Sequence, residues 1–158
     1  MIKVEELFIE PTATVLETLR KLDTTGQRIL FHTDAVQAYA HIPLDVDELK
    51  VDLMSASSHK LNGPKGVGFL YVRRGVKLPS FLHGGEQERG RRAGTENVAG
   101  IVGFARAAEL ACGVNTQESA VRDHLIKRLL DEIPYTSLNG DPTHRLPNNV
   151  NVCFKYIE

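Results

Sequence analysis

Long apolar runs are missing from this 158-residue chain, as are internal repeats, low-complexity segments and an excess of either charge. Each absence closes off a class of protein. No stretch approaches the roughly 20 apolar residues that a membrane-spanning helix needs. The opening MIKVEELFIEP mixes charges early and carries no signal-peptide pattern. A net charge of −1 provides no basic field for nucleic acid or an anionic membrane, so neither is an expected partner. The two cysteines, Cys112 and Cys153, lie far apart in unlike contexts. They make no disulfide framework, and a reducing cytoplasm is the expected compartment.

What remains is ordinary globular material, 42% hydrophobic and 25% charged, long enough to bury a core. TVLETLRKL, residues 14–22, puts Val15, Leu16, Leu19 and Leu22 on one helical face. Three apolar stretches then read as strands: Arg28–Asp34, Val51–Ser57 and Val67–Arg74. Between the first two, AVQAYA reads as a short helical turn and HIPLDVDELK as a connector. Continuous apolar strands joined by such connections predict an α/β sheet covered on both faces. Residues 79–92 read as a loop. Thr95 reads as the N-cap of a helix running to about Cys112, with Val98, Ile101, Val102, Ala105 and Ala108 on its buried face. A second helix is predicted from about Thr116 to before Pro134, and NNVNVCFKYI as a half-buried strand. In that strand Cys153 reads as a packing residue, and Cys112 reads the same way at its helix end.

The candidate chemistry lies in VDLMSASSHKLNGPKGVGFLYVRR. Here Lys60 follows a strand, with Ser57, Ser58 and His59 just before it and a glycine-rich loop just after. Ligands of open α/β sheets bind outside the carboxyl ends of the strands. Asp34 stands at the equivalent place on the preceding strand. An acid for a pyridinium nitrogen and a lysine for a Schiff base are what a protein supplies to pyridoxal phosphate. Ser57 and His59 add donors for a phosphate. Spacing alone does not single this reading out. Strand-end lysines are mostly solvated, and an aspartate after a strand is commonly a turn residue. GPKGVG lacks the order of a nucleoside-triphosphate loop. His83, Glu86 and Glu88 fit no metal-ligand spacing, so no metal is expected.

Taken together, HTDAVQA, VDLMSASSHKLNGPKGVGFLYVRR and HGGEQERGRRAGTEN resemble the cysteine desulfurases, class V aminotransferase-like enzymes of fold type I. The resemblance spans roughly residues 28–158. It implies pyridoxal phosphate bound to Lys60, with Asp34 on the ring nitrogen, Gln37 on the ring hydroxyl, and Ser57 and His59 on the phosphate. Thr95 would reach the phosphate in a neighbouring subunit, which makes a homodimer the expected assembly. Arg89, Arg91 and Arg92 form either a phosphate- or dimer-facing cluster or a solvated charge run. The implied reaction converts L-cysteine to L-alanine and passes sulfur as an enzyme persulfide to an acceptor such as an iron–sulfur scaffold. Selenocysteine lyases share much of this pattern.

Family members are about 400 residues long, so the chain is expected to be a central fragment. Residues 1–95 would form part of the fold-type I large domain, with a mostly parallel sheet. Residues 96–158 would form the helical connection and the start of a small α+β domain. The phosphate-gripping loop, the ring-stacking histidine, the nucleophilic cysteine and the carboxylate-binding arginine would all lie outside it. Alone, the stretch is expected to be a poor catalyst. The alternative is a noncatalytic protein-binding or dimerisation module derived from the same fold.

Overall fold

The computed structural model describes residues 17–21, 28–112 and 115–157. Residues 17–21 are helical; the rest of the predicted 14–22 helix lies outside the described residues. Strand β1 is His32–Asp34, β2 is Leu53–Ser57 and β3 is Gly68–Val72. A 3₁₀ turn, Ser58–Leu61, follows β2 directly. Helix α1 is Val98–Ala111 and α2 is Asn115–Glu132. Two short strands follow, β4 (Thr136–Leu138) and β5 (Val152–Phe154).

The first sheet has the order β1-β2-β3. β1 runs parallel to β2 and pairs Asp34 with Ser55, whereas β3 is antiparallel to β2 and pairs Gly68 with Ser57. Because side chains alternate along a strand, this register sorts them into two faces. Thr33, Met54, Ala56, Phe69 and Tyr71 share the covered face, and Met54 and Ala56 are buried there. His32, Asp34, Leu53, Ser55, Ser57 and Leu70 share the opposite face, and on it Asp34 and Leu70 are exposed.

Two apolar clusters meet on the covered face. One joins Phe31, Ala35, Leu49, Val51 and Met54; the other joins Ala56, Leu61 and Phe104 of α1. Phe69 packs against both. Its ring stacks on Phe104 at 5.7 Å and meets the edge of Tyr39 at 5.0 Å. Phe104 is therefore the side chain that fastens α1 to the sheet. Phe104→Ala should cost about 3–5 kcal/mol, the range for deleting a buried aromatic. A urea titration followed by far-ultraviolet dichroism checks this; a loss under about 1 kcal/mol would mean that α1 is held elsewhere.

Three expectations need correction. The N-cap of α1 is Asn97, whose side-chain oxygen accepts from the Gly100 N–H at 3.0 Å; Thr95 lies upstream, exposed. Both residue types cap well, and the chain closes its first turn on the second. The buried face of α1 is also not the one its aliphatic residues mark. Val98, Ile101 and Val102 are 66%, 46% and 63% exposed, whereas Gly100 and Phe104 are buried. Finally, Cys153 and Cys112 are both exposed. In β5 the half-buried residues are Val152 and Phe154, so alternation turns Cys153 outward.

The second sheet pairs β4 with β5 antiparallel, Ser137 opposite Cys153. The long loop between these strands is held by polar side chains. Arg122 of α2 donates to the carbonyls of Arg145 and Leu146, and Arg145 donates to that of Asn139. Asp141 accepts from the His144 and Thr143 backbone N–H groups and from the Thr143 hydroxyl. These bonds hold its carboxyl well below the usual carboxylate range.

Candidate active site

The site is built at the carboxyl end of the parallel pair. β1 and β2 run the same way, so their C-termini emerge at one end of the sheet, where α/β ligand sites form. Asp34 ends β1 and is exposed; its carboxylate accepts from the Val36 N–H at 3.0 Å, which opens the following turn. Gln37 sits exposed in that turn, which closes when Ala35 O accepts from the Ala38 and Tyr39 N–H groups. Ser57 lies on the same face as Asp34, two residues beyond Asp34's partner Ser55, or roughly 7 Å along the strand.

The 3₁₀ turn reverses the chain at this end. His59 reaches back to Ser57, Nδ1 to Oγ at 2.7 Å, so the imidazole lies over the Asp34 face. The pair keeps a free donor in either neutral tautomer. If the hydroxyl donates to Nδ1, the Nε2–H is left; if Nδ1–H donates, the hydroxyl proton is left. Either donor suits an anion. Lys60 is exposed on the same turn, and its carbonyl is 3.4 Å from His41 Nε2. The turn is tied at both ends. Ser58 N–H donates to Val67 O at 3.0 Å, and Gly63 N–H donates to Ser58 O at 3.1 Å. A groove of about 450 Å³ runs between this turn and α1, bordered by His41, Lys60, Pro64 and Arg106.

Among the sequence-predicted residues, Asp34, Ser57 and His59 come together on one face, with Lys60 on the adjoining turn and Gln37 in the turn after β1. Thr95 stands apart, exposed ahead of α1, and among the described residues no hydrogen bond links its side chain to the Lys60 turn. Arg92 donates to the Gly94 carbonyl at 2.8 Å, and Gln87 accepts from the Gly94 N–H, so this stretch is organised internally. Sequence reading missed Ser58, buried between the two polar neighbours with a hydroxyl that has no partner. Its place in the run SSHK gave no signal that set it apart from Ser57.

The donor set fits pyridoxal phosphate in its chemistry. An exposed carboxylate, an amine, and a serine–imidazole pair with a free donor match a pyridinium, an aldehyde and a phosphate.

The class-V aminotransferase family model matches residues 8–158. Over 135 residues the chain is 58% identical to a cysteine desulfurase IscS of Methanosarcina thermophila, covering 83% of this chain and 33% of that protein. Among solved structures, a NifS-like protein superposes with a TM-score of 0.73 at 39% identity, over 90% of this chain and 40% of the other. SspA in complex with cysteine superposes with a TM-score of 0.70 at 33% identity, over 92% and 39%. The chain thus spans about a third of the length of the curated relative and two-fifths of the solved ones. The α/β architecture and the matched residues lead to one assignment: the chain belongs to the class-V aminotransferase family.

Proposed function

We propose that this chain is the lysine-bearing segment of a pyridoxal phosphate-dependent cysteine desulfurase. The observation that carries the reading is the parallel β1–β2 pair, which brings Asp34, Ser57 and His59 to one face beside the Lys60 turn. Family members use pyridoxal phosphate. When bound, that group supplies the electron sink that lets a substrate Cα–H bond ionise.

The chain's own residues do the rest. Lys60 Nζ would hold the cofactor and, once freed by the substrate amine, move protons at both substrate carbons: it takes the Cα proton, and protons return to Cβ and to Cα as alanine forms. Asp34 keeps the proton on the ring nitrogen by charge, and Gln37 donates to the ring hydroxyl. The Ser57–His59 pair donates to the phosphate through whichever proton the bond between them leaves free. L-Cysteine is the substrate, in keeping with the superposable SspA–cysteine complex, and L-alanine the product. Sulfur leaves as a persulfide on a cysteine outside this stretch and passes to an acceptor such as an iron–sulfur scaffold. The working unit is a homodimer, in which Thr95 contacts the neighbouring subunit's cofactor phosphate.

A chimera tests the reading. Residues 28–157 would replace the matching segment of the Methanosarcina thermophila relative. With L-cysteine and pyridoxal phosphate the chimera should form alanine at a rate within about tenfold of the parent, a loss of no more than about 1.4 kcal/mol in the barrier. Lys60→Ala in the chimera should remove that activity. A folded, cofactor-loaded chimera that leaves L-cysteine intact would sink the proposal.

A further inference from the structure

Helix α1 carries glycine at positions 100 and 103, in its interior, where each costs about 1 kcal/mol relative to alanine. Close approach explains both. A Cβ on Gly103 would stand 2.6 Å from Pro64 Cγ and 3.1 Å from its Cδ. One on Gly100 would stand 2.4 Å from Val67 Cγ2. Across the contact, a Cβ on Gly63 would fall 3.0 Å from Ala107 Cβ and 2.2 Å from Ser58 Oγ. The loop of residues 63–67 therefore lies directly on the helix backbone.

That loop is also the frame of the lysine turn. Ser58 hangs from Val67 O by its N–H, and Gly63 hangs from Ser58 O. Ser58 is fully buried, and Gly63 lies so close that a Cβ there would meet its hydroxyl at 2.2 Å, so the turn and the loop are packed against each other. A displacement of Pro64 must then carry Ser58–Leu61 with it, and Lys60 is the third residue of that turn. We propose that Gly103 is a positioning residue: its bare backbone seats Pro64 and so sets where the Lys60 turn stands relative to the end of the sheet. The consequence for cofactor capture rests on the function proposed above; the mechanical coupling does not.

The test compares four proteins: wild type, Gly103→Val, the double variant Gly103→Val with Pro64→Ala, and Ala105→Gly, an exposed position, as a control that weakens α1 through its backbone on the side away from the loop. Gly103→Ala replaces Gly103→Val if the latter does not fold. Two readouts are taken. The first is amide hydrogen exchange at Ser58 and Gly63. The second is the pyridoxal phosphate concentration that half-saturates Lys60, measured by borohydride trapping and peptide mass. Gly103→Val should speed exchange at both amides and raise the half-saturating concentration about tenfold, as expected if a tenth of the molecules hold the competent turn. Removing the proline ring in the double variant should restore both, and Ala105→Gly should change neither at a temperature where it remains folded. Unchanged exchange in Gly103→Val, or equal effects in Ala105→Gly, would overturn the proposal. If wild type captures no cofactor while the exchange pattern follows this order, the coupling stands and the desulfurase reading falls.

Discussion

Lys60→Ala should abolish site-specific capture of pyridoxal phosphate. In the wild-type chain, borohydride reduction should leave the cofactor's mass on the peptide containing Lys60. In Lys60→Ala only a scattered background on other exposed lysines, such as Lys50, Lys65 and Lys77, should remain. The contrast is expected to be large because only an amine can condense with the aldehyde, and Lys60 follows His59 directly on the 3₁₀ turn that carries the bonded Ser57–His59 pair. Lys60→Arg keeps the charge and lacks the condensing amine, so it should lose capture as completely. Asp34→Asn is a milder change. It keeps the side-chain oxygen that accepts from Val36 N–H but removes the negative charge, so capture at Lys60 should persist while the trapped species loses its ring-nitrogen partner. Labelling spread evenly over the lysines of the wild-type chain would refute the assignment of Lys60.

Asp52→Ala should be among the most destabilising single substitutions, beside Phe104→Ala, at about 3–5 kcal/mol, the cost of breaking an ion pair at its buried partner. Asp52 is fully buried at the entry to β2. Its carboxylate accepts from the Phe31 N–H at 3.0 Å and from Arg20 at 2.9 Å, and it also takes a hydrogen bond from Arg28. Its backbone completes the junction: its N–H donates to Phe31 O at 2.9 Å and its carbonyl accepts from Arg73 N–H at 2.8 Å. Alanine would strand a buried N–H and leave two guanidinium groups without their carboxylate. The arginines are 34% and 54% exposed, so removing either alone should cost far less, within about 1 kcal/mol. Asp52→Asn should fall between, since it keeps an acceptor for Phe31. Chemical denaturation of the four variants checks the order. An Asp52→Ala midpoint no lower than that of Arg28→Ala would show that the carboxylate does not hold the junction.

The same junction matters to the site. Phe31 and Asp52 sit at the start of the parallel pair, and the register set there is the one that places Asp34 opposite Ser55 at its far end. A slip of one residue would turn Asp34 to the covered face.

The strands of the first sheet were legible from their apolar stretches: the second and third assignments hold at their centres, and of Arg28–Asp34 only the last three residues, His32–Asp34, form the strand. β4 was not legible. Thr136–Leu138 is three residues with no apolar alternation, and only its pairing with β5 makes it a strand. The face of α1 was misread for a related reason. Val98, Ile101 and Val102 make the better apolar stripe, yet glycine counts for nothing in such a pattern. The two interior glycines were the available signal, since a helix gives up stability for them only where something must come close.

The order of residues alone settled which groups are present and where they fall along the chain: an acid ending one strand, and a serine, histidine and lysine ending the next. It settled the strands of the first sheet to within a few residues, because runs of apolar residues have few other ways to leave water. Tertiary structure decided which faces those groups share, which side of α1 meets the sheet, and that Asn97 rather than Thr95 begins it. Direction and register belong to pairs of segments, and close packing to whichever backbones can approach. Neither is a property of any one stretch read by itself.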